Sequence, residues 1–204
     1  MDKDGKGDSP KEFEPPCLEC LKGFKPHPSD IYTPEEMRKI NIAVLKERGV
    51  TVEDIAELAY ENQRKYLPDL KLSEMQDSVL EILSKREQFH AILLAVNLDF
   101  LAEKNVIMEP LRSILNHDLG LFGLDECIAI GISGNYGTIG ITNFGHLDVT
   151  KPGKISELND SKTHDNCFLD DIVGALAAVA AVRVAQMHAV AHPKVLGPHR
   201  GMDV

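Results

Sequence analysis

Eleven consecutive uncharged residues, Ile172 to Val182, follow directly behind two adjacent aspartates, Asp170 and Asp171. A stretch so apolar has to leave water, yet it meets Arg183 well short of the roughly 20 residues that cross a bilayer. Its composition suits a helix from Asp165 to His192, capped by Asp165 and closed by Pro193, that the rest of the chain must surround. Ala177, Ala178 and Ala181 keep one face of that helix small enough for a neighbouring backbone to approach closely. The expectation is an all-α fold, a compact multi-helix bundle around a buried C-terminal helix.

The upstream sequence supplies the surrounding helices. Thr33, Pro34 and Glu36 provide an N-cap, a first-turn proline and the reciprocal acid of a capping box, opening a helix that closes at Gly49. Thr51 caps a second, with Val52, Ile55, Leu58 and Ala59 on one face and Pro68 as its stop. Ser73 and Gln76 read as another capping box ahead of Met75, Val79, Leu80 and Leu83. Gln88 to Lys104 is long enough to favour helix over strand, and a short helix begins at Pro110 and fails before Gly120. From Asp125 to Phe144, β-branched residues mix with glycines; a strand pair is an alternative, but with no partner strands elsewhere the reading is helix, then glycine-rich turn.

Residues 1–29 mix both charge signs with four prolines after residue 14, so they read as a flexible N-terminal arm. Residues 30–192 form the single helical domain, and 193–204 a C-terminal tail. The 204 residues carry 22 Lys and Arg against 32 Asp and Glu, a net charge of −10, which excludes general attraction to nucleic acid and opposes an anionic bilayer. Any phosphate substrate therefore needs local positive charge, most simply a divalent cation. Four cysteines and no apolar leader after Met1 suit a reducing cytoplasm. Self-association is expected, because many short helices in an aliphatic protein leave apolar faces to cover.

Chemistry concentrates at the start of the last helix. Side chains adjacent on a helix diverge by about 100°, so Asp170 and Asp171 border one cleft and hold a cation by two edges rather than face each other. Gly174, one turn on, leaves an unobstructed patch beside both. A hard cation such as Mg²⁺ takes one or two carboxylates plus water and phosphate oxygens. The bland alternative is that acids at a helix N-terminus merely complement its dipole, worth about 0.3–1 kcal/mol. The second feature is Gly134-Asn135-Tyr136-Gly137-Thr138-Ile139-Gly140. It can present backbone N–H groups and the Thr138 hydroxyl to an anion, or simply let two helices approach. It has neither the Lys of a phosphate-binding P-loop nor the context of a dinucleotide fingerprint.

Gly137-Thr138-Ile139-Gly140, with His164-Asp165 and Asp170-Asp171-Ile172-Val173-Gly174 following in that order, resembles the motifs of the phosphatidylglycerophosphatase A family, in particular its soluble all-helical branch. The resemblance covers roughly residues 130–185. It implies Mg²⁺-dependent hydrolysis of a phosphomonoester, phosphatidylglycerophosphate giving phosphatidylglycerol and phosphate. It also implies metal ligation by Asp165, Asp170 and Asp171, a catalytic site of Asp170, Asp171 and Thr138, and phosphate binding by Gly137 and Gly140. Ile141 stands where the family has Ser, Tyr136 where Pro is common, and Asp171 where the family has Glu. A lipid substrate further implies peripheral contact with a membrane surface, so a water-soluble phosphomonoester is the alternative substrate. A non-catalytic helical binding protein is the alternative function.

Other residues suit plainer roles. Cys17-Leu18-Glu19-Cys20 is a CxxC without a second pair, although His27 is near. His188 and His192 are four apart at a helix end, a spacing that could share a metal, although imidazoles also suit the dipole there. Asp148 reads as a solvated loop acid, with a carboxylate reaching in from across the cleft as the alternative, and Glu53, Glu57 and Glu61 as a solvated helix stripe.

Overall fold

The computed structural model describes residues 17–26, 29, 31–118 and 123–191. Nine α-helices lie among them: α1 Pro34–Glu47, α2 Val52–Gln63, α3 Leu72–Ile82, α4 Arg86–Glu103, α5 Leu111–His117, α6 Leu124–Gly134, α7 Gly137–Thr150, α8 Lys154–Asn159 and α9 Leu169–Ala191. The described residues contain no strand. The fold is all-α, as expected, and the strand-pair alternative for residues 125–144 is excluded.

Local chemistry sets the helix starts. The Thr33 hydroxyl accepts the Glu36 N–H at 3.3 Å while the Glu36 carboxylate accepts the Thr33 N–H at 2.7 Å. Thr51 and Asp54 repeat this pair at 3.1 and 2.8 Å. The third helix starts earlier than its sequence suggests: Leu72 opens it, and the Glu74 carboxylate, instead of the amide of Gln76, accepts the N–H of Lys71 at 2.9 Å. An ionised acceptor outcompetes a neutral amide for an orphan N–H.

Every residue of α9 from Leu169 to Val182 is buried, and the helix packs against α2, α3, α4, α6, α7 and α8. Its small residues do what the sequence suggests; the Ser78 hydroxyl of α3 donates to the Ala180 carbonyl at 3.1 Å, which only close approach allows. By length and composition alone α9 suffices to cross a bilayer, because the helix continues past Arg183, yet 67% of its most apolar stretch is buried inside the bundle.

Two expectations need correction. The glycine-rich segment is a helix-to-helix joint, not an open loop: α6 ends at Gly134, two residues intervene, and α7 begins at Gly137, whose φ of 76° lies in the left-handed region. A Cβ on Gly140 would lie 2.3 Å from the Ser133 carbonyl oxygen, so that glycine lets α7 cross α6 in contact. The folded unit also begins before residue 30. Leu18 is 3% exposed in the core, and the N–H groups of Glu19 and Cys20 donate to the Glu47 carboxylate at 2.7 and 2.8 Å. Residues 1–16 of the arm and 192–204, which include the tail and His192, lie outside the described residues.

Candidate active site

The first turn of α9 is capped by a residue distant in sequence. The Phe168 and Leu169 N–H groups donate to the two carboxylate oxygens of Asp99, on α4, at 3.1 and 3.0 Å. Asp99 is 1% exposed, and burial pushes its carboxyl well above the usual range against the pull of those donors. Asp165 is therefore not the cap. Its N–H donates to Glu103 at 3.0 Å and its carbonyl accepts from Arg48 at 2.8 Å. Arg48 is ion-paired with Glu103 at 2.6 Å and also donates to the Asn166 side-chain oxygen at 3.0 Å. This buried bracket fixes the segment that leads into α9.

So positioned, Asp170 and Asp171, each 2% exposed, face a cavity of about 220 Å³. Asp118 after α5, Asp125 and Glu126 on α6, and Asp148 on α7 complete a lining of carboxylates, with Lys151 as its cation. The Lys151 ammonium is 2.9 Å from Asp148, 2.9 Å from Asp170 and 3.2 Å from Asp171. One ammonium does not balance that many carboxylates. Burial pushes Asp170 up to about 6 against the pull of Lys151. Burial and then Asp170 push Asp171 up to about 8, and burial and then Glu126 push Asp125 up to about 7. Burial works against the Lys151 ammonium, but Asp170 outweighs it and holds the lysine above its ordinary range. Asp118 and Lys151 end α5 and α7 with left-handed φ of 33° and 40°, a conformation disfavoured for side chains with a Cβ and concentrated at functional sites.

Oxygens of Asp125, Glu126 and Asp171 lie within 4.8 Å of one another, close enough to share one ion. Asp118, Asp125 and Cys167 form a second such group, sharing Asp125. Burial and then Asp125 push the Cys167 thiol up, and it donates to Asp125 at 3.7 Å. The first group, all oxygen and short of positive charge, is the donor set that a hard divalent cation requires.

The structure sorts the residues singled out from sequence. Asp170 and Asp171 share the cavity. Asp165 lines a neighbouring cavity of about 420 Å³ that has Asp118, Asn159 and Cys167 in common with the first. Gly137, Thr138 and Gly140 are not brought to either: they lie at the opposite end of α7 from Lys151, about 20 Å away along the axis at 1.5 Å per residue. Thr138 is exposed there. Gly174 opens no ligand space, since the side chains of Ile155 and Phe144 already face it. Asp148, read as a solvated acid, is a wall of the cavity. Glu57 and Glu61 line a separate groove of about 510 Å³ between α2 and the α7–α8 junction. His188 bonds Glu74 at 2.8 Å. Cys17 and Cys20 are free thiols, and burial and then Glu47 push Cys20 up to about 12, the reverse of a thiolate poised for metal or redox chemistry; His27 lies outside the described residues.

Asp99, Asp118, Asp125, Glu126 and Lys151 escape the sequence reading. One signal does point to two of them. Leu124-Asp125-Glu126 and Leu169-Asp170-Asp171 are the same pattern, an acidic pair at the head of an apolar helix, and the pairing of those two heads forms the cavity.

Residues 44–186, a span that contains every wall of the acidic cavity, match the Phosphatidylglycerophosphatase A family. The chain belongs to that family. Among its relatives, the uncharacterized protein YpjQ of Bacillus subtilis is 47% identical over 157 residues, covering 77% of this chain and 89% of YpjQ. The uncharacterized protein YutG of the same organism is 49% identical over 144 residues, 70% of this chain and 87% of its own. The crystal structure of YpjQ superposes with a TM-score of 0.75 at 46% identity, covering 78% of this chain and 99% of that one. The low temperature requirement C protein of Listeria monocytogenes superposes with a TM-score of 0.72 at 43% identity, covering 74% and 96%. The fold of this phosphatidylglycerophosphatase A family member is thus shared with solved relatives over nearly their whole length.

Proposed function

We propose that this family member is a Mg²⁺-dependent phosphomonoester hydrolase that converts phosphatidylglycerophosphate to phosphatidylglycerol and phosphate. The observation that carries this reading is the all-oxygen cluster of Asp125, Glu126 and Asp171 in a cavity within the family-matched span. The raised carboxyls of Asp125, Asp170 and Asp171 support it, because they mark buried negative charge that a cation relieves. A divalent ion held by these residues supplies neutralisation of the phosphoryl charge that the chain's own −10 opposes.

The protein's side chains have distinct tasks. Lys151, anchored between Asp148 and Asp170, donates to a phosphoryl oxygen from the cavity wall. Asp170, pushed up to about 6, exchanges a proton close to neutrality and serves as general base. Water attacks phosphorus, its proton passes to Asp170, and the bond to the alcohol oxygen breaks with its electron pair, the departing oxygen taking that proton back from Asp170. Asp99 acts through the helix start, holding Asp170 and Asp171 toward the cavity.

Phosphate release from phosphatidylglycerophosphate in mixed micelles, measured with and without Mg²⁺, tests the proposal. Turnover that needs the ion and falls about 10²-fold or more in Asp170→Asn supports it. Absence of ion-dependent release from the lipid and from soluble phosphomonoesters refutes it.

A further inference from the structure

We propose that Lys151 is a built-in second cation: its ammonium takes the place of the second divalent ion of a two-metal phosphoryl-transfer site, so that the protein works with one ion per chain. The inference rests on the hydrolase reading above and names what that reading leaves open, the number of ions and the reason for a lysine among so many acids. Two cation positions adjoin in the cavity. Asp125, Glu126 and Asp171 make one, which is left for an ion. Asp148, Asp170 and Asp171 make the other, and the Lys151 ammonium lies 2.9, 2.9 and 3.2 Å from them. Asp171 belongs to both, so the two positions are neighbours on one carboxylate. Phosphatases that use two metals set them about 3.5–4 Å apart, as a clamp on the attacking and leaving oxygens.

The backbone places the lysine for this task. Its N–H donates to the Leu147 carbonyl at 2.8 Å where α7 ends, and the carbonyl of the next residue, Pro152, accepts the Ile155 N–H at 3.1 Å where α8 begins. Pinned between two helices, Lys151 turns its side chain back onto the first turn of α9, 30% exposed against 3% for the side chains of Asp170 and Asp171. Charge leads to the same result. Asp118, Asp125, Glu126, Asp148, Asp170 and Asp171 all line the cavity, and one divalent ion leaves an excess of negative charge that a phosphomonoester deepens. A tethered ammonium offsets part of it with no second binding equilibrium, its three N–H donors matching three carboxylates. The contact with Asp171 is the longest of the three. When that carboxylate turns to the ion, one ammonium hydrogen is freed for a phosphoryl oxygen. The cage is also close to the size of a metal site, because its oxygens need to close in by only roughly 1 Å to reach the 2.0–2.1 Å typical of Mg²⁺. Removal of the lysine therefore turns its position into a second ion site.

Mn²⁺ titration of the metal-free protein, counted by calorimetry and read by electron paramagnetic resonance, tests the assignment. The wild type is expected to take one ion per chain and to show an uncoupled Mn²⁺ spectrum. Lys151→Ala, which leaves room for an ion and water, is expected to take two, with coupled spins because the ions share Asp171. Lys151→Gln keeps the stem and offers an amide oxygen, itself a ligand for hard cations, so it should also take two and carries the test if the alanine variant does not fold. Asp148→Ala added to either variant should weaken the second ion about tenfold or more and leave the first unchanged, since Asp148 belongs to the lysine's cage and not to the other position. Two ions in the wild type, one ion in the folded variants, or loss of the first ion with Asp148 overturns the lysine's role while the hydrolase stands. No ion bound by the wild type removes the metal site and the hydrolase reading together.

Discussion

Cation binding by this protein should release protons, in an amount that follows from the buried carboxyls. Without the ion, Asp170, Asp125 and Asp171 sit at about 6, about 7 and about 8, mainly because burial disfavours their charged forms. At pH 7 the three groups together retain on the order of one to two protons, which a divalent ion must displace to find ionised oxygen donors. At pH 5 all three are protonated and well above pH 8 nearly all are ionised, so release grows as pH falls and fades in alkali. By linkage, apparent affinity rises on the order of tenfold or more per pH unit around neutrality and levels off in alkali. Calorimetric titration of Mn²⁺ or Mg²⁺ in buffers of different ionisation enthalpy counts the protons directly. Binding at pH 7 with no proton release would show that the ion ignores these carboxyls, and the assignment of the cavity as the metal site would be wrong.

The same shifts set the pH dependence of stability. An acid raised above its unfolded value stabilises the folded state at low pH and loses that contribution as pH climbs through the folded value. The metal-free protein should therefore melt several degrees lower at pH 8 than at pH 5, and saturating Mg²⁺ should erase the difference. Glu103 does not mask this: burial opposes its ionisation, but Arg48 outweighs that and keeps it below the usual range, so above pH 5 it is charged in both states. Gly140→Ala forces a Cβ into the Ser133 carbonyl and should lower stability by about 2–3 kcal/mol in denaturant unfolding; an unchanged midpoint would refute the α6–α7 contact. Asp99→Asn exchanges one of two N–H acceptors for a donor and should destabilise by about 1–3 kcal/mol while weakening Mn²⁺ binding, both readable by calorimetry. Lys151→Met removes the ammonium that competes for Asp170 and Asp171, and Mn²⁺ should bind about tenfold more tightly; weaker binding would mean that the lysine supports the ion instead.

The helices around α9 are legible in the sequence because each announces itself locally. Thr33 with Glu36 and Thr51 with Asp54 are complete signals within four residues, and the apolar run behind Asp171 admits no fate but burial. Half of the site is legible for the same reason, since Asp170 and Asp171 are conspicuous at the head of that run. The other half depends on chain-remote pairing. Asp99 looks like an interruption in an apolar helix until α4 delivers it to the N–H groups of Phe168 and Leu169. Lys151 looks like a loop lysine until the end of α7 meets the start of α9. Gly137 and Gly140 mislead in the opposite direction, because the absence of a side chain serves a backbone bend and a helix crossing as readily as an anion.

The cavity's acids come from two kinds of support. Asp170 and Asp171 ride on the helix that the bundle encloses, whereas Asp118, Asp125 and Glu126 hang from α5 and α6 at the periphery. An ion gripping both sets would act as a clasp, fastening an outer flap to the central post. Amide hydrogens of α6 should then slow their exchange with solvent when the ion is added while those of α9, already shut away, hardly change.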